Sequence, residues 1–561
     1  MLLSLIINIT ITIICLWSGF IFYRYILKNE ETKPVIFYAI SGLILLTIIS
    51  QVAALFLPVN IYLLAVILLL LFLFAFLKKN QFATFFRFVL NEIVSLPLYA
   101  KALLIVLWLM IILINSGPVM MDDTESYHIQ MIKWIQEYGS VPGIVNLHER
   151  YGFNSSWFSS IAFFGSIAGK LNLFTTLNAV LSVWLCFYLI TTAVKYTKEK
   201  NSHIAIALIA VLLFSLAIWP ITRGNAATTN YDFIKTLLVF VLFTETFVKK
   251  DITNNFSLNE EWLIWPVYLF TVRIINYPLL LLSLFAFYIL AKNRKWRSCL
   301  LSIVYCLILI IPFLARNIIT SGYPFYPAPY FNLFNVDWKA DSQIIDKLLE
   351  YIKYYNRVST SFLDIEQTKA LGSGWIPAWF HYLFLYDKLI LIPGIIGLIT
   401  GLVVFVKNRS VLSAPYRFFL FTIIVSLISW FYISPDPRFV YGILLSGVFM
   451  LVYYCLKIIS GEFLQKVISG IFILVLFSSG FYTVRKIIKQ PSTVIWMKPA
   501  PLPKPPVTEI SLDGIILRIP EKINNNWNPR CYGTTLPCLY QIDPRLKARG
   551  KDINSGFRLE K

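Results

Sequence analysis

Apolar runs long enough to cross a lipid bilayer recur along this chain, from its first residues to about residue 484. A helix needs about 20 apolar residues to span the hydrocarbon core of a bilayer. The 561 residues are 58% hydrophobic and only 14% charged, with a mean hydropathy of +0.71, which is more apolar surface than a soluble core can bury. We therefore expect an all-α polytopic transmembrane bundle.

The hydropathy pattern predicts about 12 to 14 helices. Their apolar cores lie near residues 4–23, 35–56, 61–77, 102–116, 172–194, 203–219, 232–248, a split pair within 262–291, 299–316, 387–406, 416–434, 439–456 and 467–484. The segment 156–169 is too short and serine-rich for a full span, so we expect it to be re-entrant or to lie against the bundle. The first run is too long for a cleavable signal and has no charged start, and we take it as a span.

The positions of the basic residues predict the orientation. The net charge of +20 would suit a nucleic-acid partner, but lysines and arginines occupy every second connection, for example 24–33, 195–200 and 292–297. This is the positive-inside pattern, so sidedness explains most of the charge and no nucleic-acid partner is expected. The remaining connections, which then face outward, are 117–171, 220–231, 317–386, 434–438 and everything after residue 484.

The polar C-terminal region predicts a small extracytoplasmic unit after the bundle of residues 1–484. Residues 485–506 form a Pro-rich linker, and residues 507–561 contain two strand-like runs about Asp513-Gly514, a strong hairpin signal. Cys531 and Cys538 in "CYGTTLPC" are close enough for a disulfide, which an extracytoplasmic location permits. A zinc site is the weaker alternative, because no histidine lies in this region.

Three carboxylates stand within four positions in "MMDDTESYHIQMIKWIQEYG", directly after an apolar run. The spacing predicts an amphipathic helix from Thr124 to Tyr138 that lies along the membrane surface. Asp122 and Glu125 match a capping box, which explains them structurally. Capping does not require Asp123, which shares a helix face with Tyr127. Asp123 is therefore our candidate general base.

Other outward segments carry basic, histidine and aromatic candidates. His128, His148 and Arg150 lie in the same loop as Asp123, Arg223 follows in "RGNAATTNYD", and Arg438 lies in "PDPRF". An arginine fork suits a phosphate or pyrophosphate, although a snorkelling anchor would look the same.

Three further features leave alternatives open. Arg273, near the outer turn of the split pair, either faces a partner or snorkels to the interface. Tyr323 and Tyr326 in "SGYPFYPAPYFNLF" suit either a lid that stacks on a glycan or lipid or an anchoring loop without a ligand. Asp232, at the start of a helix, is either a cap or a functional acid.

An acid four residues before a tyrosine, opening a helix in a large outward loop, resembles the GT-C superfamily of polytopic glycosyltransferases. The stretches "DTESYHIQMIKWIQEYGSVPGIVNLHERYGFNSSWF", "RNIITSGYPFYP", "PDPRF", "CYGTTLPC" and "LKARGKDINSGFR" are similar to a GT-C-like family of bacterial polytopic membrane proteins of uncharacterised activity. In the superfamily an outer-loop aspartate acts on the acceptor, and Asp123 matches it by position. Thr124 stands where many members have a second acid, a place that Asp122 would have to fill.

The resemblance implies an integral-membrane, inverting transferase that moves a sugar from a polyprenyl-phosphate donor to an extracytoplasmic glycan or lipid acceptor in cell-envelope synthesis. Asp123 would be the base, and Arg438, Arg223, Arg150 or His128 would neutralise the departing phosphate. No cofactor is required, with a divalent metal on Asp122 and Asp123 as an alternative. A flippase or transporter of lipid-linked sugars, or a glycan polymerase or ligase of another fold, are the rival functions.

The expected location is the bacterial cytoplasmic membrane, in contact with membrane lipids, with the active site and the C-terminal unit outside the cytoplasm.

Overall fold

The fold is known from a computed structural model, which describes residues 1–168, 173–253, 260–358, 364–407, 414–457, 461–489, 500–521 and 530–560. It is an all-α bundle with two small β-hairpins near the C-terminus. The helices are α1 Leu2–Ile21, α2 Val35–Phe56, α3 Ile61–Leu77, α4 Lys79–Val94, α5 Leu98–Asn115, α6 Ile129–Glu137, α7 Ser156–Gly165, α8 Thr176–Lys198, α9 Ser202–Ala217, α10 Asp232–Thr253, α11 Glu261–Val272, α12 Leu280–Lys292, α13 Trp296–Ser321, α14 Ser342–Tyr355, α15 Ile365–Ala370, α16 Trp375–Tyr382, α17 Leu385–Lys407, α18 Ala414–Ile433, α19 Tyr441–Leu456 and α20 Gly461–Lys489.

A helix overlaps each apolar core that the hydropathy pattern predicts. Within the described ranges, 10 helical segments are long and apolar enough to cross a membrane, or up to 11 if α3 and α4, bent by 99° at their junction, form one broken span. α9 and α11 are apolar but have only 16 and 12 residues. The chain is thus a polytopic bundle with several short or broken helices, and the span count of 12 to 14 stays a prediction.

Glycines allow the closest helix contacts in the bundle. A Cβ on Gly397 of α17 would lie 1.8 Å from the carbonyl oxygen of Gly447 on α19, and one on Gly42 of α2 would lie 1.8 Å from that of Cys15 on α1. Small residues at such crossings let backbones approach and gain dispersion contacts, which drive helix association where lipid removes the hydrophobic driving force.

The two predicted irregular segments have the expected form. α7 has only 10 residues, all of them buried, and it packs against α2 and α6. The split pair 262–291 consists of α11, a 3-10 segment Ile274–Leu279 and α12, with Arg273 at the junction. The start of α7 meets the junction of the split pair, where the Ser155 hydroxyl donates to the Val272 carbonyl at 2.7 Å.

The predicted outer loops meet at one end of the bundle, which we call the site end. The backbone N–H of Met120 donates to the carbonyl of Ala227 at 2.9 Å, and the Trp379 indole donates to the carbonyl of Pro435 at 2.7 Å. The basic connections gather at the other end, where the Tyr23 hydroxyl donates to Glu261 at 2.6 Å. The segregation of the loops matches the alternation of charge in the sequence.

The C-terminal region packs onto the site end. β1 Val507–Leu512 and β2 Ile515–Pro520 pair about Asp513-Gly514, the predicted hairpin, and β3 Leu546–Ala548 pairs with β4 Phe557–Leu559. We call the described residues 507–521 and 530–560 the tail. α20 extends to residue 489, so it takes up the first part of the predicted linker 485–506, and residues 490–499 of that linker lie outside the described residues.

Candidate functional site

The acidic helix start has a different local structure from the predicted capping box. Met121 has φ +78°, and residues Thr124–His128 form a π-helical turn that leads into α6. Neither Asp122 nor Glu125 caps a backbone N–H: both bind Arg530 of the tail, Asp122 at 2.6 Å. The capping-box prediction was wrong because a residue about 400 positions away takes both carboxylates.

The amphipathic helix is also more enclosed than predicted. Trp134 and Ile135 on its apolar face are fully buried, as expected, but Gln130 on its polar side is buried as well. Gln130 and Lys133 donate to carbonyl oxygens of residues 532–534 in the tail. α6 therefore lies between the bundle and the tail, and its polar side is covered by protein.

Asp123 is turned away from the tail and lies between two arginines. Its Oδ1 is 3.6 Å from Nη1 of Arg150, and its Oδ2 is 3.5 Å from Nη2 of Arg438. These separations exceed the roughly 2.7 to 2.9 Å of a tight charge-assisted hydrogen bond. The carboxylate is 27% exposed. Asp123 is thus held by electrostatic attraction to the two guanidiniums, and its oxygens can still accept a hydrogen bond from another donor.

Two more ion pairs continue the same cluster. Nη1 of Arg273 donates to Oδ1 of Asp232 at 2.8 Å, and Nε of Arg438 lies 2.9 Å from Oδ2 of Asp436 and 3.9 Å from Oδ2 of Asp232. Arg273 therefore faces a partner and does not snorkel. Asp232 acts through its side chain, while Asn230 caps its backbone N–H.

These six residues form what we call the site cluster: Asp123, Arg150, Asp232, Arg273, Asp436 and Arg438. They come from the loop before α6, the loop before α7, the start of α10, the α11 junction and the turn that begins α19. Three carboxylates balance three guanidiniums, so the cluster is close to neutral.

The electrostatics of the cluster favour an ionised Asp123. Burial opposes ionisation, but the guanidiniums of Arg438 and Arg150 outweigh it and hold the pKa of Asp123 below its usual value. For Asp436 the balance is reversed, because burial raises the pKa above the usual value in spite of Arg438. The free protein thus presents Asp123 as a carboxylate, deprotonated and only weakly basic.

His128 lies directly behind Asp123 and is neutral. It is 1% exposed, and burial lowers its pKa to about 3. Nδ1 is 3.0 Å from Oγ1 of Thr229, and Nε2 has no partner among the residues that the structure describes. Burial therefore disfavours the charged form of His128 in the free protein, the form that its predicted phosphate-binding role would use.

Aromatic rings line the side of the cluster near Arg150. The Arg150 guanidinium lies 5.6 Å from the ring centroid of Tyr127 and 5.7 Å from that of Tyr351 on α14. Tyr127 is buried, whereas Tyr351 belongs to the loop 317–386. The predicted neighbour Tyr127 is therefore at the site, and α14 supplies an aromatic wall that the sequence did not single out.

Four further predicted site residues lie outside the site cluster: Arg223, His148, Tyr323 and Tyr326. Arg223 donates to the Ala217 carbonyl and lies over the ring of Tyr482 on α20. His148 contacts Glu149 and the ring of Tyr540 in the tail. These two residues were predicted at the site because their loops were expected to face outward, but loop membership does not determine where a side chain points.

Tyr323 and Tyr326 are buried in a small core under α14. The Tyr326 hydroxyl donates to the Glu149 carbonyl at 2.7 Å. Side chains buried in this way are not placed to stack on a ligand, and the other interpretation, an anchoring loop, stays a prediction.

The described residues include no group of three or more His, Cys, Asp or Glu side chains arranged for a metal. Asp122 and Asp123, the predicted metal ligands, point to different partners, Arg530 on one side and Arg150 with Arg438 on the other. The two carboxylates therefore do not converge on one point.

Arg530, which binds the acids beside Asp123, was not recognised as a contributor from the sequence. The predicted disulfide Cys531–Cys538 is present, and it closes the loop that directly follows Arg530 and contacts α6. The Tyr151 hydroxyl donates to the Cys538 carbonyl at 2.6 Å. The two cysteines were the available signal, since they mark a closed loop, but its docking surface is a tertiary feature.

Residues 1–445 match a family model described as a domain of unknown function (DUF8201). The chain belongs to this family. No curated protein and no solved structure matches it. The matched part of the family member contains all six residues of the site cluster, whereas the tail lies beyond it.

Proposed function

We propose that this family member is an integral-membrane glycosyltransferase that moves a sugar from a polyprenyl-phosphate donor to an acceptor on the outer side of the membrane. The observation that carries the proposal is the position of Asp123, a partly exposed carboxylate held loosely at 3.6 and 3.5 Å between two guanidiniums. Such a site pairs a proton acceptor with positive charge for an anionic leaving group.

In the proposed reaction the acceptor hydroxyl donates its proton to Asp123 while its oxygen forms a bond to the anomeric carbon. The bond from that carbon to the phosphate oxygen breaks, and the phosphate leaves with the electron pair, so the configuration inverts. A polyprenyl phosphate is a good leaving group and needs no strong acid. It needs cations in place beforehand, and Arg438, Arg150 and Arg273 supply them.

The surroundings suit an amphiphilic donor. Leu385 and Tyr432, at the ends of α17 and α18 near the cluster, are 72% exposed, so apolar surface reaches the site end beside the charged residues. In a membrane this surface contacts lipid chains, and a polyprenyl chain is such a chain. The proposed orientation, with the cluster outside the cytoplasm, follows the positive-inside pattern.

The decisive experiment compares Asp123→Asn with wild type in membranes supplied with a panel of polyprenyl-phosphate hexoses and pentoses, and detects glycosylated products by mass spectrometry. Membranes without the protein give the background. Loss of a general base lowers the rate by about 10²- to 10⁴-fold. The isosteric amide keeps the shape, so a loss of this size with unchanged thermal stability supports the assignment.

Two further variants sharpen the comparison. Glu137→Gln removes a carboxylate at the end of α6 that pairs with Lys133 at 3.7 Å, and it should change the rate less than threefold. Asp122→Asn tests the neighbouring acid, which binds Arg530, and should lower the rate less than tenfold. Full transfer by Asp123→Asn would refute the base assignment, and movement of lipid-linked sugar across the membrane without any transfer would favour a transporter.

A further inference from the structure

Two tyrosine rings of α14 form a stack beside the site cluster. The centroids of Tyr351 and Tyr355 are 5.0 Å apart, with an angle of 20° between the ring planes. The Tyr351 ring lies 5.7 Å from the guanidinium of Arg150, whose Nη1 is 3.6 Å from Oδ1 of Asp123. Tyr355 is 46% exposed, so the stack continues from the cluster to the surface. We call Tyr351 and Tyr355 the tyrosine pair.

The charges around Tyr355 show that its ring lies beside the cluster. Burial raises the pKa of the Tyr355 hydroxyl, and the carboxylate of Asp123 raises it further. The charges of Arg438, Asp122 and Arg150 act on the same hydroxyl. Screening limits such interactions to about 10 Å at ordinary salt concentrations. A ligand that rests on Tyr355 would therefore lie next to the carboxylate that we propose as the base.

Packing holds the tyrosine pair in place from both ends of α14. Ile345 and Leu348, on the opposite face of the helix, are buried in the small core under α14. At the other end, Nδ2 of Asn356 donates to Oγ of Ser434 at 2.7 Å, which ties α14 to the turn that carries Arg438. A ring that is already positioned loses little conformational freedom when a ligand binds. The tyrosine pair is thus a preformed surface.

The groups exposed at this surface suit a sugar ring. The aliphatic side chains Ile345 and Leu348 are buried, so α14 offers no exposed aliphatic groove for a lipid chain here. A pyranose ring can pack its C–H face on an aromatic ring such as that of Tyr355. Its hydroxyls can donate to carboxylates at the ring edge, and Asp122 beside Asp123 is 61% exposed. Both halves of a saccharide, its apolar face and its polar edge, find partners.

The charge balance favours a neutral saccharide. The three carboxylates and three guanidiniums of the site cluster balance one another, and Arg530 is occupied by Asp122 and Glu125. A bound donor phosphate would make the site negative. Like charges brought together at an interface are unfavourable, so an acidic glycan or an anionic lipid would be repelled as the second substrate.

We propose that the tyrosine pair is the acceptor subsite, and that the acceptor is a neutral glycan whose sugar ring stacks on Tyr355 with a hydroxyl directed to Asp123. The proposal rests on the proposed function for the reaction itself. It narrows the acceptor from a glycan or a lipid to a saccharide, and it assigns α14 to acceptor recognition while the guanidiniums serve the leaving phosphate.

Binding of saccharides to the full chain in phosphatidylcholine nanodiscs, without any donor, tests the proposal. The probes are neutral trisaccharides of glucose, galactose, mannose and N-acetylglucosamine, together with trigalacturonate, and native mass spectrometry measures the affinities. Wild type should bind at least one neutral trisaccharide, about tenfold more tightly than trigalacturonate. Tyr355→Ala should weaken that binding about tenfold, and Tyr355→Phe, which keeps the ring, should stay within about threefold of wild type.

Tyr330→Ala is the matched control, because Tyr330 is a 72% exposed tyrosine of the same loop 317–386 that does not belong to the pair. It should leave the affinity within about threefold of wild type. Thermal unfolding of each variant shows whether the fold is kept.

Five results would each overturn the proposal: no neutral trisaccharide binds to wild type, Tyr355→Ala binds as well as wild type, Tyr355→Phe loses as much as Tyr355→Ala, Tyr330→Ala loses equally, or phosphatidylglycerol displaces the saccharide. Because no donor is present, full transfer by Asp123→Asn would remove the base assignment and leave this binding result intact. Conversely, a failure of the tyrosine pair would leave the proposed transfer in place, with a lipid as its acceptor.

Discussion

Arg530 is the residue through which the tail holds the segment that carries Asp123. Its guanidinium binds the carboxylate of Glu125, which is 15% exposed, and that of Asp122, which is 61% exposed. A hydrogen bond to a charged, largely buried group contributes about 1.5 to 3 kcal/mol. A solvent-exposed pair such as the one with Asp122 contributes about 0 to 1 kcal/mol. We expect Arg530→Ala to weaken docking of the segment by about 2 kcal/mol.

Hydrogen exchange of the full chain in detergent measures this loss locally. Since about 1.4 kcal/mol is a factor of ten, amides of residues 124–137 should exchange about thirtyfold faster in Arg530→Ala. Arg558→Ala is the control: Arg558 is an exposed tail arginine 3.7 Å from Asp337, and its loss should change exchange less than threefold. If residues 124–137 of Arg530→Ala exchange within threefold of the wild-type rate, the inferred role of Arg530 in holding this segment is refuted.

The pH dependence of this effect has a defined sign. Burial raises the pKa of Glu125 above its ordinary value, in spite of Arg530. Between the ordinary and the raised pKa the folded state holds the proton more tightly, so this group's contribution to stability falls as pH rises. Without Arg530 the pKa of Glu125 rises further, so the pH range over which its contribution to stability falls becomes wider. The excess exchange of Arg530→Ala should therefore be largest at neutral pH and decrease as pH falls toward the ordinary value of Glu125.

Three further predictions concern other parts of the fold. Gly397→Ala puts a methyl group 1.8 Å from the carbonyl oxygen of Gly447, so α17 and α19 must separate, and fluorescence-detected thermal unfolding should show a loss of about 1 to 3 kcal/mol; unchanged stability would contradict the packing. Asp232→Ala leaves Arg273 without its 2.8 Å partner, and the same assay should show a loss of about 3 kcal/mol that the added Arg273→Met substitution largely restores. Cys531→Ser opens the disulfide loop, and its amides should lose about 2 kcal/mol of exchange protection, whereas an unchanged rate would show that contacts with α6 alone hold it.

Local patterns in the sequence were sufficient for the elements and their grouping. The alternation of basic connections predicted which loops meet, and Met120 and Ala227, from two of those loops, are joined by a backbone hydrogen bond. Asp513-Gly514 predicted the hairpin because both residues adopt the positive φ that its turn requires. These features depend on residues close in sequence, or on a charge rule that applies to whole loops.

The errors all involve partners that are distant in sequence. The acids at the start of α6 matched a capping box, but Arg530 competes for them and is invisible in a local window. Arg223 is in a loop of the site end, yet its guanidinium lies over Tyr482, since the choice of neighbour depends on how α20 packs.

The low pKa of Asp123 adds a condition to the proposed reaction. In the free protein Arg438 and Arg150 hold the pKa of Asp123 below its usual value, which makes it a weak base. A bound donor phosphate near Arg438 would neutralise part of that positive charge, and the pKa of Asp123 would rise toward the range in which a carboxylate accepts a proton more readily. Donor binding would thereby make Asp123 a stronger base.

This coupling can be tested with the pH dependence of transfer. The acidic limb of kcat/KM reports the pKa of the free protein, and that of kcat reports the donor complex. Because transfer requires ionised Asp123, activity falls as pH drops through each pKa, and we expect the limb of kcat at a higher pH than the limb of kcat/KM. Arg438→Lys keeps the charge but loses the fork of donors, so it should lower the rate and leave the separation of the limbs largely in place. Coincident limbs in wild type would show that the donor phosphate does not neutralise the guanidiniums beside Asp123, and the assignment of Arg438 to the leaving group would have to be abandoned.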